Sequence, residues 1–257
     1  MELEIVFGRL GSWDIVILDY GSEILRLRSY SLSKSEKIKK INKKIKMKEK
    51  ILQIIEYGKR MSASGLTAGT GGNISVFDNA QGLMAITPSG IAYPEIRPDQ
   101  IILVDVDDGK IVSGKAKVSS EVELHRIFYK YRTDLKALVH THSAYATAYS
   151  CLNKTLPPVH YLLAVAGVDV PCATYATYGT VELAQNVFAA MADRKACLMA
   201  NHGLLAGGED LAEAYNIAET IEFCCAVYCR ATAMGEPRIL SLEEMEKVVE
   251  LFKGYGQ

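Results

Sequence analysis

From residue 47 onward the apolar positions switch repeatedly between helical and strand spacing. Met47, Ile51, Ile54, Ile55 and Met61 recur on one face of an amphipathic helix that the pattern opens at Met47. Residues 73–77 and 83–87 read as strands around a turn at 78–82, and 101–106 with 110–113 as a hairpin around Asp107-Asp108-Gly109. Ser120 and Glu123 have capping-box spacing and start a helix carrying Val122, Ile127, Phe128 and Tyr131. A strand at 138–142, a short helix at 144–152, helical 161–166 and a strand at 168–173 follow. Next come a helix at 181–192, a strand at 196–200 and its return at 204–207. Helices at 211–233 and 242–252 close the pattern, the second behind a Ser241/Glu244 capping box. The alternation indicates an α/β protein, and the hairpin signals argue against a purely parallel sheet. The expected fold is a three-layer α/β/α domain with a mostly antiparallel central sheet.

The first 46 residues differ from this pattern. Short β-like groups at 5–7 and 15–18 are broken by Gly8 and Gly11, and the segment holds the only Trp, Trp13. A lysine run follows: residues 34–50 contain nine Lys and two Glu, a charge of +7. Such a stretch reads as a solvated, partly helical lead-in or as an unstructured extension. Residues 1–46 are therefore expected to be an extension, with Met47 a candidate translation start and 47–257 the functional domain.

Composition narrows the classes of function. The chain of 257 residues has 29 Lys+Arg against 30 Asp+Glu, so bulk charge gives no sign of a nucleic-acid binder. That balance divides into +4 for residues 1–46 (10 basic, 6 acidic) and −5 for the remainder (19 basic, 24 acidic). Apolar runs such as 159–166 are far shorter than a membrane span. Six cysteines without a CxxC pair read as small core residues of a reducing compartment. The acidic start Met1-Glu2-Leu3-Glu4 lacks the features of a secretory signal. A cytoplasmic location is expected.

The chemistry concentrates on histidine. His140 and His142 form a His-x-His pair on a strand, where period two puts both rings on one face. His202 follows the strand at 196–200, and a neighbouring strand end would carry it to the same point. Three imidazoles leave a fourth coordination position open, as in a catalytic zinc site. An isolated histidine would more simply satisfy a core hydrogen bond, whereas this combination favours metal.

Glu121 at a helix start is by itself a first-turn acid favoured by the helix dipole. Beside a metal it would be a proton shuttle. His125, one turn on, reads as a structural helix residue, and Tyr161 beside His160 as either core filling or a phenolic acid. The run Thr67-Ala68-Gly69-Thr70-Gly71-Gly72-Asn73 has neither P-loop nor GxGxxG spacing. It is a plain turn or an anion-binding cradle, and Ser119-Ser120 before a helix offers the same service.

These residues occur in a recognisable order. Gly71-Gly72-Asn73-Ile74-Ser75, Thr87-Pro88-Ser89-Gly90, Ser119-Ser120-Glu121, Val139-His140-Thr141-His142, His160-Tyr161, the segment from Pro171 to Thr180 and Asn201-His202-Gly203-Leu204 follow one another in register. In this the chain resembles the class II aldolase/adducin family, from about Met47 to Gly256.

The resemblance implies zinc on His140, His142 and His202, one ion per subunit, with Glu121 approaching it in the resting state and handling the proton in catalysis. It implies a phosphate cradle of Gly72, Asn73, Ser89, Gly90, Ser119 and Ser120. Tyr161 would come from a neighbouring subunit as acid/base on the aldehyde oxygen, and Tyr178 and Tyr255 would lie at the aldehyde end. It further implies a homotetramer of C4 symmetry with sites at subunit interfaces. Position 178 carries Tyr where the family pattern has Phe, and Asn201 replaces a His.

The implied reaction is reversible cleavage of a ketose 1-phosphate, such as L-fuculose 1-phosphate, to dihydroxyacetone phosphate and a small aldehyde such as L-lactaldehyde. Three neutral ligands leave a Zn²⁺ its full charge for Lewis-acid work. Two activities of the same fold are the alternatives: dehydration of methylthioribulose 1-phosphate and 4-epimerisation of L-ribulose 5-phosphate. The epimerase resemblance calls for Asp at 121 and an Asp within 159–163, and neither is present. A non-catalytic adducin-like module would be expected to have lost the histidines, and all three are here.

Overall fold

The computed structural model describes the backbone of residues 4–10, 13–20, 23–28 and 34–252, and the side chains of 38–252. Two compact units divide the chain, Met1–Lys48 and Glu49–Gln257. In the first, β1 (Glu4–Leu10), β2 (Trp13–Tyr20) and β3 (Glu23–Arg28) form an antiparallel meander. The apolar groups at 5–7 and 15–18 fall within β1 and β2, whereas β3 had no sequence-based expectation. Helix α1 (Lys34–Ala63) runs through Met47 without a break, so the helix does not open at that methionine. Lys, Glu and Ile are adequate helix formers, and Lys39, Lys40, Lys43 and Lys44 are exposed.

The second unit is built on an eight-stranded sheet. Its strands are β4 (Asn73–Asp78), β5 (Leu83–Ile86), β6 (Ile102–Asp105), β7 (Ile111–Ser113), β8 (Ala137–Thr141), β9 (Cys172–Ala173), β10 (Ala196–Met199) and β11 (Gly203–Gly208). The order is β7-β6-β5-β4-β8-β11-β10-β9, and only the β10–β9 pair is parallel. The expected mostly antiparallel sheet is therefore present.

Strand alternation assigns the two faces. Phe77, Met84, Ile86, Leu138, Cys197, Met199 and Leu205 point to a core shared with Leu124 and Phe128 of α2 (Val122–Tyr131) and Leu183 and Val187 of α4 (Val181–Met191). The intervening positions, among them Val139, Leu198 and Leu204, are equally buried. On that side α3 (Ala144–Ser150) and α5 (Leu211–Met234) pack against β8 and β11. Helix α6 (Leu242–Phe252) packs on a 3₁₀ turn at Tyr161–Val165.

Three local expectations change. The segment 168–173 contributes only Cys172–Ala173 to the sheet: Pro171 has no N–H and gives β10 only its carbonyl, which accepts from the Leu198 N–H at 2.8 Å, while Val170 bridges to Leu156. The helical 161–166 is a 3₁₀ turn rather than an α-helix. Helix α2 is preceded by Glu121 at its N-cap, with no side-chain cap, instead of a Ser120/Glu123 box. Glu123 pairs with Arg126, 2.8 Å away, and the Glu121 carboxylate is left free to turn elsewhere.

Candidate active site

Central strand β8 carries His140 between two neighbours in register, Asn73 of β4 and Leu205 of β11. All three side chains thus share the face on which α2 packs. His142 follows two residues later on the same face. His202 sits in the tight β10–β11 connection, where Asn201 takes a left-handed φ of 55° and the His202 N–H donates to the Met199 carbonyl. Gly203 lets that turn close onto β8, since a Cβ there would collide with the Thr141 carbonyl. Gly72 has φ +69°, and a Cβ on it would strike the His140 carbonyl, so the Gly-rich loop can enter β4 only without a side chain.

The imidazole nitrogens of His140, His142 and His202 lie within 4.8 Å of one another. His140 and His142 approach Nε2 to Nε2 at 3.0 Å. The His140 Nδ1–H donates to the Leu204 carbonyl at 2.9 Å, which aims the Nε2 lone pair at the centre of the cluster. Burial, with His140 close by, pushes His142 and His202 down to about 4, so both rings offer lone pairs at neutral pH. Burial also works against a charge on His140, but the Glu121 carboxylate outweighs it and raises the pKa.

Glu121 is 6% exposed and lies against the cluster: Oε2 is 3.3 Å from His140 Nε2, and Oε1 is 3.3 Å from His202 Nε2. Asn73 Nδ2 donates to Oε2 at 2.8 Å, while buried Oε1 accepts no hydrogen bond among the described residues. Burial would raise this carboxyl. The His140 and His202 rings and the Asn73 amide outweigh it and hold the pKa below the usual carboxylate range. Three converging nitrogens and an orphaned carboxylate oxygen are a donor set suited to a divalent cation. Ligands bound tetrahedrally at about 2.0–2.1 Å would sit about 3.3 Å apart, close to the 3.0 Å between the His140 and His142 nitrogens.

The cluster opens into a cavity of about 380 Å³. Gly72, Asn73, Ser89, Gly90, Ser119 and Ser120 line it, as do Glu121, His142 and His202, with Tyr178 at its edge. A bridge between Pro88 and Val118 draws the 87–90 turn beside 119–121 and so joins segments distant in sequence. Among the described residues, no Lys or Arg lines it. His140 is fully buried behind the cavity wall.

One expected residue does not line the cavity of its own chain. Tyr161 is 51% exposed on its 3₁₀ turn, stacked on His160 and facing Phe252, and does not line the cavity. Tyr255 lies outside the described residues. Others arrive that the sequence reading passed over: Tyr175 lines the cavity, and Tyr93 donates to the Gly71 carbonyl at 3.0 Å. Thr67 donates to the same carbonyl at 2.8 Å, and the two donors pin the Gly-rich loop. Tyr93 is buried, and nothing in its sequence neighbourhood separates it from a core aromatic.

Comparison with known proteins agrees with this geometry. The family described as Class II Aldolase and Adducin N-terminal domain matches residues 52–229. A 5-deoxy-D-ribulose 1-phosphate aldolase of Bacillus thuringiensis serovar kurstaki is 49% identical, over 80% of this chain and 96% of its own. An L-fuculose phosphate aldolase of Escherichia coli is 41% identical, over 79% and 94%. A solved L-fuculose 1-phosphate aldolase structure superposes with a TM-score of 0.78 at 49% identity, covering 80% of this chain and 96% of that one. The chain belongs to the class II aldolase/adducin family and is a class II aldolase, an enzyme of a metal-dependent class acting on sugar phosphates.

Proposed function

We propose that the protein cleaves a deoxyketose 1-phosphate reversibly, releasing dihydroxyacetone phosphate and a small aldehyde, with Zn²⁺ as its metal. The observation that carries this reading is the Glu121 carboxylate set against three convergent imidazoles at the base of a cavity walled by neutral donors. His140, His142 and His202 would hold the ion, with Glu121 beside it in the resting enzyme. When bound there, it supplies Lewis-acid stabilisation of the negative charge that develops next to the substrate ketone.

The chain's own groups divide the remaining work. The 87–90 turn, the 119–120 segment before α2, Gly72 and Asn73 hold the phosphate through N–H and hydroxyl donors. Among the described residues no lysine lines the cavity, so none of them offers Glu121 an ammonium partner to compete for its charge. In cleavage the C4 hydroxyl loses its proton, the C3–C4 bond breaks and its electron pair stays on C3. Glu121 delivers a proton to C3, and in the synthetic direction removes it from dihydroxyacetone phosphate.

Tyr161 handles the proton on the C4 oxygen from a neighbouring subunit, in keeping with its exposure away from its own cavity. That assignment requires an oligomer, for which a homotetramer of cytoplasmic enzyme is the reading. Residues 1–46 are an extension to the enzyme domain. Tyr178 and Tyr255 contribute to the aldehyde end.

The relatives' names favour a 5-deoxyribulose 1-phosphate first and L-fuculose 1-phosphate second. A coupled assay for dihydroxyacetone phosphate over a panel of ketose 1-phosphates tests this. Turnover should be highest with 5-deoxyribulose 1-phosphate. Release of water without dihydroxyacetone phosphate from methylthioribulose 1-phosphate would replace this reading with a dehydratase.

A further inference from the structure

We infer that His125 is a positioning residue for the proton-handling carboxylate, acting through Asn73 to fix the orientation of Glu121. The inference rests on the role proposed above for Glu121. The His125 ring is fully buried between α2 and β4. Its Nε2 hydrogen-bonds Asn73 Oδ1, and its Nδ1 lies 2.6 Å from Ser75 Oγ. Tyr129 Oη is 2.6 Å from the same hydroxyl. Asn73 and Ser75 alternate on β4 to one face, and α2 presents His125 and Tyr129 one turn apart.

The need of the buried Glu121 carboxylate for a donor sets the direction of the hydrogen bonds. A ring kept neutral by burial carries a single N–H. Placed on Nε2, that hydrogen goes to the Asn73 carbonyl, and Nδ1 accepts from the Ser75 hydroxyl, against which Tyr129 Oη packs while donating to the Ser75 backbone carbonyl at 3.0 Å. Asn73 must then turn its NH₂ toward Glu121 Oε2, 2.8 Å away, and Ser119 Oγ, 3.3 Å away. Rotating the amide would set two acceptors against each other at Glu121 and leave a buried carboxylate oxygen without a donor, a costly arrangement. The His125 N–H on Asn73 Oδ1 therefore holds the amide with its NH₂ toward Glu121, and the Ser75 hydroxyl on Nδ1 supports that tautomer.

The test uses full-length holoenzyme and follows exchange of the dihydroxyacetone phosphate C3 proton by NMR, alongside crystal structures of metal-free protein. His125→Leu should slow exchange about 10- to 100-fold and release Asn73 Nδ2 from Glu121. His125→Gln, whose amide N–H reaches the same carbonyl, should keep most of the rate. In an Asn73→Ala background, adding His125→Leu should change the rate by no more than about twofold. Should His125→Leu not fold, Ser75→Ala tests the same hydrogen bonds and should slow exchange measurably by freeing the ring's tautomer. Unchanged exchange in the Leu variant, equal losses for Leu and Gln with Asn73 in place, additive losses in the cycle, or an unaffected Ser75→Ala would each overturn the inference. Wild-type exchange that is absent, or that survives Glu121→Gln, would instead refute the role of Glu121, and the orientation of Asn73 in the crystals would then decide the positioning.

Discussion

The Asn73 side-chain nitrogen donates to Glu121 Oε2 at 2.8 Å, across 48 positions of sequence. Strand β4 brings the amide to the face on which α2 begins, and an N-cap without a side-chain bond lets Glu121 turn inward. A residue of the proposed phosphate cradle and the proposed proton carrier are thus in direct contact, so on that reading binding and proton transfer share a group.

Glu121→Gln preserves the shape and the contact with Asn73 but removes the base. Exchange of the dihydroxyacetone phosphate C3 proton should fall by about 10²–10⁴-fold, the range of general acid–base contributions. Metal content, measured by atomic absorption after gel filtration, should stay near that of the wild type. Undiminished exchange would remove Glu121 from the mechanism.

Metal dependence is tested on the ligands themselves. Dialysis against a chelator should abolish cleavage, and Zn²⁺ should restore it. His142→Ala should weaken metal binding by more than the roughly 10–100-fold that supporting residues cost, read by competition with a coloured chelator. A chelated enzyme of full activity would count decisively against the proposed centre.

Gly72→Ala addresses the approach of the Gly-rich loop to β8. The left-handed backbone costs about 1–3 kcal/mol for a side-chain-bearing residue, and the new Cβ also meets the His140 carbonyl. For a chain of this size the backbone penalty lowers Tm by at least about 2–4 °C, and relief of the clash should shift His140 and weaken metal binding. Scanning calorimetry with and without Zn²⁺ separates the two effects. An unaltered melting profile would mean that the loop relaxes freely.

Tyr161 provides the test of a shared site. Tyr161→Phe and His142→Ala subunits should each be nearly inactive alone. Mixed oligomers should recover activity, because some sites then combine an intact metal cluster with an intact tyrosine. Absence of recovery in oligomers verified by mass spectrometry would contradict the interface assignment.

Much of this was legible in the sequence, for a local reason. Period-two spacing places His140 and His142 on one face whatever surrounds them, and the α6 start at Ser241 is visible because its cap is local: Glu244 N–H donates to Ser241 Oγ at 3.2 Å. The antiparallel sheet follows from hairpin turns that join neighbours along the chain. Tertiary structure alone decided what depends on pairing between distant strands. The order β4-β8-β11 puts Asn73 opposite His140 and brings the β10–β11 turn with His202 to the same point. Helix α2 packing on β4 makes His125, which reads as an ordinary helix residue, a partner of Asn73. The 3₁₀ turn at Tyr161–Val165, packed on α6, holds Tyr161 away from the cavity of its own chain. Spacing is set by backbone geometry within a few residues, whereas convergence requires the whole sheet to be assembled.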